Sequence, residues 1–243
     1  MSGTSTEAER EHRESDPTRP RAVVFDVNET LSDMAPLAQR FAEVGASEHL
    51  AATWFASLLR DGFALTAAGV NPSFAAIARE LLLGRLTGQV IDPEAGVEHI
   101  MAGFGELSTH ADVVPGIRDL VGLGVRLLTL SNGSASVAEA LLARSGIRRH
   151  FEQLLSVEDA DLWKPARAAY AYVLGASGLA AADVMLVAVH PWDVDGAHRA
   201  GLRTAWVNRS GGRYPGHFSR PELEVTSVTH LADRLRGWRA PSA

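Results

Sequence analysis

Reactive side chains follow three apolar segments of the sequence, at the point where each segment ends. The first segment, AVVF, ends at Asp26, the second, VRLLTL, at Ser131, and the third, VMLVAV, at His190. Because ligands of open parallel sheets bind beyond the carboxyl ends of the strands, these side chains are expected to meet at one site. A carboxylate, a hydroxyl and an imidazole can together carry nucleophilic or acid–base catalysis. Taken alone, each position has a plainer alternative as a helix cap or turn former.

A single lysine, Lys164, lies in the segment LWKPA, while every other one of the 23 basic residues is arginine. The ammonium group of lysine is a compact point charge, which the planar guanidinium of arginine does not reproduce. Its retention in an arginine-rich chain indicates a chemical role, with chance survival of one surface lysine as the alternative. We therefore add Lys164 to the candidate site.

The elements that must position these side chains alternate along the chain. Short apolar runs, typical of strands buried on both faces, are separated by helical patterns. The predicted strands are 22–26, 125–131, 184–190 and 203–207. The predicted helices between them are 113–124, 134–145 and 166–177. This alternation predicts an α/β fold with a Rossmann-like core, in which helices cover both faces of a parallel sheet.

Residues 34–110 differ from this pattern, because they contain helical periodicity and no convincing strand. The helical patterns are 36–44, 48–60, 73–85 and 94–106. We predict an inserted all-helical cap over 34–110, which would cover the strand ends and exclude water. The core domain then comprises 21–33 and 111–240. Residues 1–20 are polar and mixed in charge, which predicts a disordered tail.

The composition excludes several classes of function. The net charge is −6 and the pI is near 5.8, which disfavours nucleic acid as a partner. No apolar run reaches the roughly 18 residues of a membrane span. The chain has no cysteine, so neither a disulfide framework nor a thiolate is present. We expect a cytoplasmic protein that acts on a small molecule.

The order of four short motifs resembles the haloacid dehalogenase superfamily. These motifs are FD-x-x-x-TL, S-N-G, K-P and D-x-x-G-A, and the likeness spans about residues 21–209. The resemblance implies that Asp26 is a covalent nucleophile and that Ser131 supplies the hydroxyl of the second motif. It also implies that Lys164 is the cation of the third motif and Asp193 the acid of the fourth.

Two positions separate this chain from the magnesium-dependent phosphatases of that superfamily. Those enzymes carry a second Asp two residues after the nucleophile and a metal-binding Asp four residues before the position of Asp193. Here the two positions are Asn28 and Val189. Magnesium prefers carboxylate oxygens, and an amide does not donate a proton as a carboxylic acid does. A phosphatase or other phosphoryl-transfer enzyme stays as the alternative function.

The remaining motifs resemble the 2-haloacid dehalogenase branch, through S-N-G, W-K-P and W-D-V-D-G-A. This resemblance implies a hydrolase that converts (S)-2-haloacids, as 2-haloalkanoic acid substrates, to (R)-2-hydroxyacids through an aspartyl ester. It implies no metal, no cofactor and a possible homodimer. A non-catalytic binding protein with the same fold is a third possibility, but both Asp26 and Lys164 are intact. The predicted substrate-binding residues are Asn28, Thr30, Phe55, Arg60, Phe74, Asn132, Tyr170 and Trp192.

The sequence departs from the best-known members of that branch at three positions. They have an aromatic residue at Asn28, an Asn at His190 and a halide-binding Arg in the cap, where this chain has Phe55. Arg60 lies about a helical turn further on and is either a substitute for that Arg or a solvated helix residue. These departures predict a distinct subgroup with its own water-activating group.

Two groups are candidates for activating the water that hydrolyses the ester. Asp193 is the group that the resemblance implies. His190 oriented by Glu29 is the local alternative, since a His held by a carboxylate can act as a general base near neutral pH. The other histidines, His49 and His110 among them, show no ligand spacing, and no role is predicted for them.

Overall fold

The computed structural model describes residues 17–241, and these fold around a six-stranded sheet in which every neighbouring pair is parallel. The strands are β1 (Ala22–Phe25), β2 (Arg126–Ser131), β3 (Gln153–Ser156), β4 (Val184–Ala188), β5 (Arg203–Val207) and β6 (Leu223–Val225). Their order across the sheet is β3-β2-β1-β4-β5-β6. The predicted α/β fold is therefore confirmed.

The strands are buried on both faces because alternate side chains enter two separate apolar clusters. Val24, Leu128 and Leu186 point to one cluster, while Val23 and Met185 point to the other. Helices cover both clusters. The α-helices of the described chain are α1 (Leu37–Glu43), α2 (Leu50–Ala67), α3 (Phe74–Leu86), α4 (Pro93–Gly105), α5 (Val113–Gly122), α6 (Ala135–Arg144), α7 (Arg167–Ser177), α8 (Pro191–Arg199) and α9 (Val228–Arg236).

Helices α1 to α4 form the all-helical cap, between β1 and α5. Aromatic packing holds the cap together, since the Trp54 ring lies 6.1 Å from Phe41 and 6.2 Å from Phe104 between centroids. The cap residues share one apolar cluster with one face of the sheet. Ser32 and Thr109 pair as an antiparallel bridge where the chain enters and leaves the cap. The domain boundaries at 33/34 and 110/111 stay predictions.

Three sequence-based expectations differ from the structure. Strands β3 and β6 were not predicted, because both are short edge strands that lack a continuous apolar run. His190 lies outside β4 and is the N-cap residue of α8. In the predicted tail, Pro20 is buried and Arg19 is bound to the core, because its guanidinium donates to the carbonyl oxygens of Leu123, Leu235 and Trp238. The rest of that tail, 1–16, lies outside the described residues.

No helix within residues 17–241 has the length and apolar character that crossing a membrane requires.

Candidate active site

Asp26 lies at the carboxyl end of the central strand β1 and is the hub of the site. Its side chain is about 5% exposed. Its Oδ1 accepts a hydrogen bond from Lys164 Nζ at 2.8 Å. Its Oδ2 accepts from Thr30 Oγ1 at 2.7 Å and lies 3.0 Å from His190 Nδ1. Cationic or polar donors therefore face both carboxylate oxygens.

Lys164 is fully buried, and its ammonium group bridges two carboxylates. Nζ lies 2.8 Å from Asp26 Oδ1 and 2.6 Å from Asp193 Oδ2. The Asn132 side chain holds the lysine backbone, because Oδ1 accepts from Lys164 N at 2.9 Å and Nδ2 donates to Lys164 O at 3.3 Å. In this structure, Asn132 therefore positions Lys164, whereas the sequence-based expectation was direct substrate binding.

Asp193 is fully buried beside the lysine and has a second partner. The hydroxyl of Tyr170 donates to Asp193 Oδ1 at 2.7 Å. A Cβ atom added at Gly196 would lie only 2.5 Å from that hydroxyl oxygen, so the D-x-x-G motif provides the space for it. In this structure, Tyr170 orients Asp193.

The protonation states of these groups follow from burial and from their partners. Burial alone would raise the pKa of Asp26, but the charge of Lys164 and the hydrogen bond from His190 hold it well below its usual range. Burial alone would lower the pKa of Lys164, but Asp193 and Asp26 raise it. Burial raises the pKa of Asp193, with partial compensation by Lys164. At neutral pH the site thus contains an ionised Asp26 beside a charged Lys164.

His190 joins Asp26 to Glu29. His190 Nδ1 faces Asp26, and Nε2 lies 2.8 Å from Glu29 Oε2. Burial alone would lower the pKa of His190, but hydrogen bonds to Asp26 and Glu29 and their charges outweigh it and raise the pKa to about 9. His190 therefore carries a proton at neutral pH, so the resting enzyme does not offer it as a free base.

The backbone around Glu29 is unusual. Glu29 has a φ of +60°, a left-handed conformation that costs a non-glycine residue on the order of 1 kcal/mol or more. Two contacts stabilise it: the Glu29 N–H donates to Ser32 Oγ at 3.3 Å, and His110 Nε2 lies 3.0 Å from the Glu29 carbonyl oxygen. This conformation directs the Glu29 carboxylate to His190.

Polar groups cluster on the other side of Asp26, where β2 ends. Ser131 Oγ accepts from the Gly133 N–H at 2.9 Å, and no acceptor within residues 17–241 takes the Ser131 hydroxyl proton. A Cβ atom added at Gly133 would lie 3.7 Å from Asn28 Nδ2 and 4.0 Å from the Phe74 ring. Ser131, Asn28 and Phe74 therefore surround one small space at this strand end.

Aromatic rings surround His190. The Trp192 ring stacks on the imidazole at 5.0 Å between centroids, and the Phe55 ring lies 6.5 Å away. Phe63 of the cap contacts Trp192 edge-on at 4.9 Å. These rings form an apolar surface beside His190. Thr30, a predicted substrate-binding residue, contacts the nucleophile candidate in the structure. Its hydroxyl donates to Asp26 and accepts from the Val189 N–H at 3.1 Å. It thus orients the carboxylate.

Arg60 is not brought to this site. Its side chain is 68% exposed and pairs with its neighbour Asp61 at 2.7 Å. The structure therefore favours the interpretation of Arg60 as a solvated helix residue over a halide-binding role. Position 55 itself carries a ring and no charge, so in the described chain the cap offers no cation from either position.

A cavity of about 550 Å³ lies between the cap and the ends of β4 and β5, beside His190 and Glu29. His49 and His110 line it, although no role was predicted for either. Arg209 also lines it, and its guanidinium binds Asp112 at 2.8 Å and the Thr30 carbonyl oxygen at 2.8 Å. Sequence signals for these residues were absent, because each is isolated in the chain and gains its neighbours only on folding.

The donor set does not fit the magnesium ion that many members of the superfamily bind. Val189 has no oxygen in its side chain, and the Lys164 ammonium lies against both Asp26 and Asp193. Within residues 17–241, no group of three or more His, Asp or Glu side chains is arranged to hold a metal ion.

Comparison with known proteins agrees with this fold. The family model for haloacid dehalogenase-like hydrolases matches residues 20–201. The chain therefore belongs to this hydrolase family, and the resemblance seen in its motifs is confirmed.

Individual relatives are similar over nearly their whole length. An (S)-2-haloacid dehalogenase from Pseudomonas sp. (strain YL) is 26% identical over 216 residues, which cover 88% of this chain and 93% of that protein. The (S)-2-haloacid dehalogenase 4A of Burkholderia cepacia is 29% identical, over 87% of this chain and 93% of that protein. The solved structure of L-2-haloacid dehalogenase from Xanthobacter autotrophicus superposes with a TM-score of 0.81 at 25% identity, covering 90% of this chain and 99% of that one.

Proposed function

We propose that this hydrolase is an (S)-2-haloacid dehalogenase, which converts (S)-2-haloacids to (R)-2-hydroxyacids through an ester on Asp26 and without a metal. One observation carries the proposal. Asp26 is buried and ionised between the charged Lys164 and His190, while the donor set does not fit magnesium. A carboxylate removed from water is a nucleophile suited to attack carbon. The similarity to proteins named (S)-2-haloacid dehalogenases supports the same activity.

In the first step an oxygen of Asp26 attacks C2 of the substrate, and the halide leaves with the bonding electron pair. The bond from Asp26 to C2 forms opposite the leaving group, so the configuration at C2 inverts. The Ser131 hydroxyl, the Asn28 amide and backbone N–H groups at the start of α6 are the donors for the substrate carboxylate. Trp192, Phe55 and Phe74 keep the reacting centre apolar.

The second step is hydrolysis of the ester at Cγ of Asp26, and we propose that His190 supports it. Esterification removes the negative charge of Asp26, which contributes to the high pKa of His190. The imidazolium, whose side chain is 12% exposed, can then release its Nδ1 proton to solvent, while its Nε2–H stays hydrogen-bonded to Glu29 Oε2 2.8 Å away. Neutral His190 next accepts a proton from the attacking water at Nδ1 as the water oxygen bonds to Cγ. The Cγ–O bond to the substrate then breaks and the product alkoxide takes that proton from Nδ1. The remaining proton of the new carboxyl group passes to Nδ1, which restores the imidazolium beside an ionised Asp26.

Asp193 is the other candidate for this step, as the resemblance implies. Its two oxygens already bind Lys164 and Tyr170, so it has less capacity to accept a proton from water. In this proposal Asp193 instead holds Lys164 against Asp26.

A phosphatase is the alternative function of the same fold. A magnesium-bound hydrolase of the superfamily from Bacillus subtilis superposes with a TM-score of 0.68 at 20% identity, a likeness of fold alone. Asn28 and Val189 argue against this alternative, because neither supplies a carboxyl group to bind magnesium or to protonate the leaving alcohol of a phosphate ester.

The proposal is tested by halide release from (S)-2-bromopropionate in the presence of a chelator, with Asp26→Asn as the inactive control. We expect release from the wild type only, unaffected by the chelator. Loss of release on chelation, or turnover of phosphate esters instead of haloacids, would overturn the proposal.

One turnover in heavy-oxygen water, with enzyme in excess, tests the ester. Hydrolysis at Cγ leaves the label in the Asp26 carboxylate and an unlabelled hydroxyl in the product. Mass spectrometry of the peptide around residue 26 distinguishes this from direct attack of water on C2, which labels only the product.

A further inference from the structure

The cavity beside His190 is larger than the smallest substrates of the proposed reaction require. Its volume of about 550 Å³ lies within the range of roughly 300 to 1,000 Å³ typical of sites for drug-sized ligands. A 2-halopropionate has only a methyl group at C2. Asp26, Lys164 and Ser131 do not line the cavity, so reaction at Asp26 leaves this space free for another part of a substrate.

The order of the strands sets the direction of a bound substrate. Across the sheet the order is β2, β1, β4 and β5, so Ser131, Asp26 and His190 follow successive neighbouring strands. Neighbouring strands lie about 4.8 Å apart, so the step from β2 to β5 spans roughly 14 Å. A substrate carboxylate held by Ser131 at β2 and attacked by Asp26 at β1 has its other substituent directed past His190 towards β5.

The cavity lies beyond His190, at the ends of β4 and β5. Its wall includes Met34, Ala38, Ala52 and Phe55 from the cap and Val189 and Trp206 from the core. Phe55 and His190 contact each other and both line the cavity, so it begins one side chain away from Asp26.

Two of the charged groups at the cavity wall have partners of opposite charge within the protein. Glu29 binds His190 at 2.8 Å, and Arg209 binds Asp112 at 2.8 Å. The other two, Asp33 and Glu48, are carboxylates, and Glu48 is exposed to solvent. The wall residues therefore offer no unpaired guanidinium or ammonium group to bind an anionic group of a ligand. The side chains of Ala38 and Ala52 are small and leave space in the cavity, and the part of the wall that they form is apolar. An alkyl chain is the ligand group that this wall fits best.

We propose that the preferred substrates are 2-haloacids that carry an alkyl substituent of about four carbons or more at C2, with this substituent bound in the cavity. The proposal rests on the proposed dehalogenase function and specifies its substrate class. Burial of each further methylene in the cavity stabilises the bound substrate and its transition state alike, so specificity rises with chain length.

The first test is a series of (S)-2-bromoacids from propionate to hexanoate, which keeps the leaving group constant. We expect kcat/KM to rise about threefold per methylene, on the order of 30-fold across the series. A flat or falling series would overturn the proposal.

The second test fills the cavity. Ala52→Phe places a ring in it, whereas Ala56→Phe makes the same change on the exposed surface of α2, outside the cavity. We expect Ala52→Phe to lower kcat/KM for 2-bromohexanoate about tenfold while changing the value for 2-bromopropionate less than twofold. Ala56→Phe should leave both values unchanged. An equal loss for both substrates in Ala52→Phe would contradict the proposal.

A binding measurement separates this inference from the proposed function. Calorimetry of wild-type enzyme with (R)-2-hydroxyhexanoate and with (R)-lactate reports on the cavity without any turnover. We expect the longer acid to bind about 30-fold more tightly, and Ala52→Phe to remove this difference. Equal affinities would end the substrate-class proposal even if bromopropionate is dehalogenated. Absence of halide release from every bromoacid would end the proposed function, while the affinities still decide whether the cavity binds alkyl chains.

Discussion

The two oxygens of Asp26 face two different environments. On the buried side, defined by Lys164, Asp193 and Tyr170, every side chain is closed off from solvent. On the open side, defined by His190 and Glu29, the exposed fractions of the side chains are 12% and 44%, and the large cavity begins there. Both sides present a proton-bearing nitrogen to the same carboxylate, at 2.8 Å and 3.0 Å.

This difference in access divides two tasks. A cation that is sealed from water keeps its charge and keeps Asp26 ionised, but it has no route for exchanging protons. An imidazole that is partly exposed to solvent and oriented by Glu29 can gain and lose protons during a reaction. Accordingly, we expect the buried side to govern the formation of the ester and the open side to govern its hydrolysis.

Removal of the buried cation should have the largest effect. In Lys164→Met, Asp26 and Asp193 remain buried without the charge that compensates them, so we expect a loss of about 3 to 5 kcal/mol in the free energy of unfolding. The pKa of Asp26 should rise, and halide release should fall by at least about a thousandfold. Denaturant unfolding and a single-turnover halide assay measure these changes. Activity within tenfold of wild type would show that Lys164 does not keep Asp26 ionised.

Replacement of the open-side imidazole should act on the second step alone. We expect His190→Asn to slow ester hydrolysis about a hundredfold while the first halide is still released in a burst. Rapid quenching and mass spectrometry of the Asp26 peptide should then find the ester accumulated. If neither the burst nor the ester appears, His190 does not act in hydrolysis, and Asp193 becomes the candidate base.

Stability should depend on pH through His190. Its pKa is about 9 in the folded chain and near 6.5 in the unfolded one, so the folded state binds more protons between these values. Its contribution is therefore full below about pH 6.5 and is lost as pH rises through 9, by up to about 3 kcal/mol. Urea unfolding across this range should find the decline in wild type and a flatter profile in His190→Asn. The same slope in both proteins would assign the dependence to other groups.

A smaller change on the buried side sharpens the distinction. Tyr170→Phe removes one hydrogen bond to Asp193 and leaves Lys164 in place. We expect about a tenfold slower halide burst, in line with roughly 1.5 kcal/mol for a bond to a charged acceptor. The ratio of burst to steady-state rate separates this variant from those on the open side. A defect confined to ester hydrolysis would contradict the assignment of ester formation to the buried side.

The smallest effect should come from Arg60, which belongs to neither side. Arg60→Gln should change kcat/KM for 2-bromopropionate less than twofold, because the side chain is 68% exposed and paired with Asp61. Inhibition of wild type and Arg60→Gln by added bromide measures whether Arg60 binds the halide. Weakened bromide inhibition in Arg60→Gln would revive the alternative that this arginine binds the halide.

Much of the architecture could be predicted because its signals are local. Runs such as VRLLTL predict strands buried on both faces, and the all-helical character of 34–110 predicts the cap. Strand β6 was not predicted, because three residues at a sheet edge are too few to show a hydrophobic pattern. The hydrogen bonds that define this strand come from its pairing with β5.

Some residues of the candidate site could likewise be found from local motifs, whereas others could not. Asp26, Lys164 and Asp193 could be found from motifs, and the structure brings all three into contact. Substrate binding by Asn132 stays a prediction, while its contacts with the backbone N–H and carbonyl of Lys164 could not be seen in the sequence, because they join residues 32 positions apart. His110 could not be found, because its contact with Glu29 joins residues 81 positions apart.

The sequence by itself determined the class of fold, because strand and helix periodicity are local signals. It also determined the family, because the order of the four motifs survives in the chain, and with the family it gave Asp26 as the proposed nucleophile and Lys164 as its proposed cation. Only the tertiary structure decided that His190 holds a proton, that Arg60 lies in solvent and that a cavity of about 550 Å³ lies beside His190. Charge states and cavities arise from burial and from distances between groups far apart in the chain, and neither quantity exists until the chain has folded.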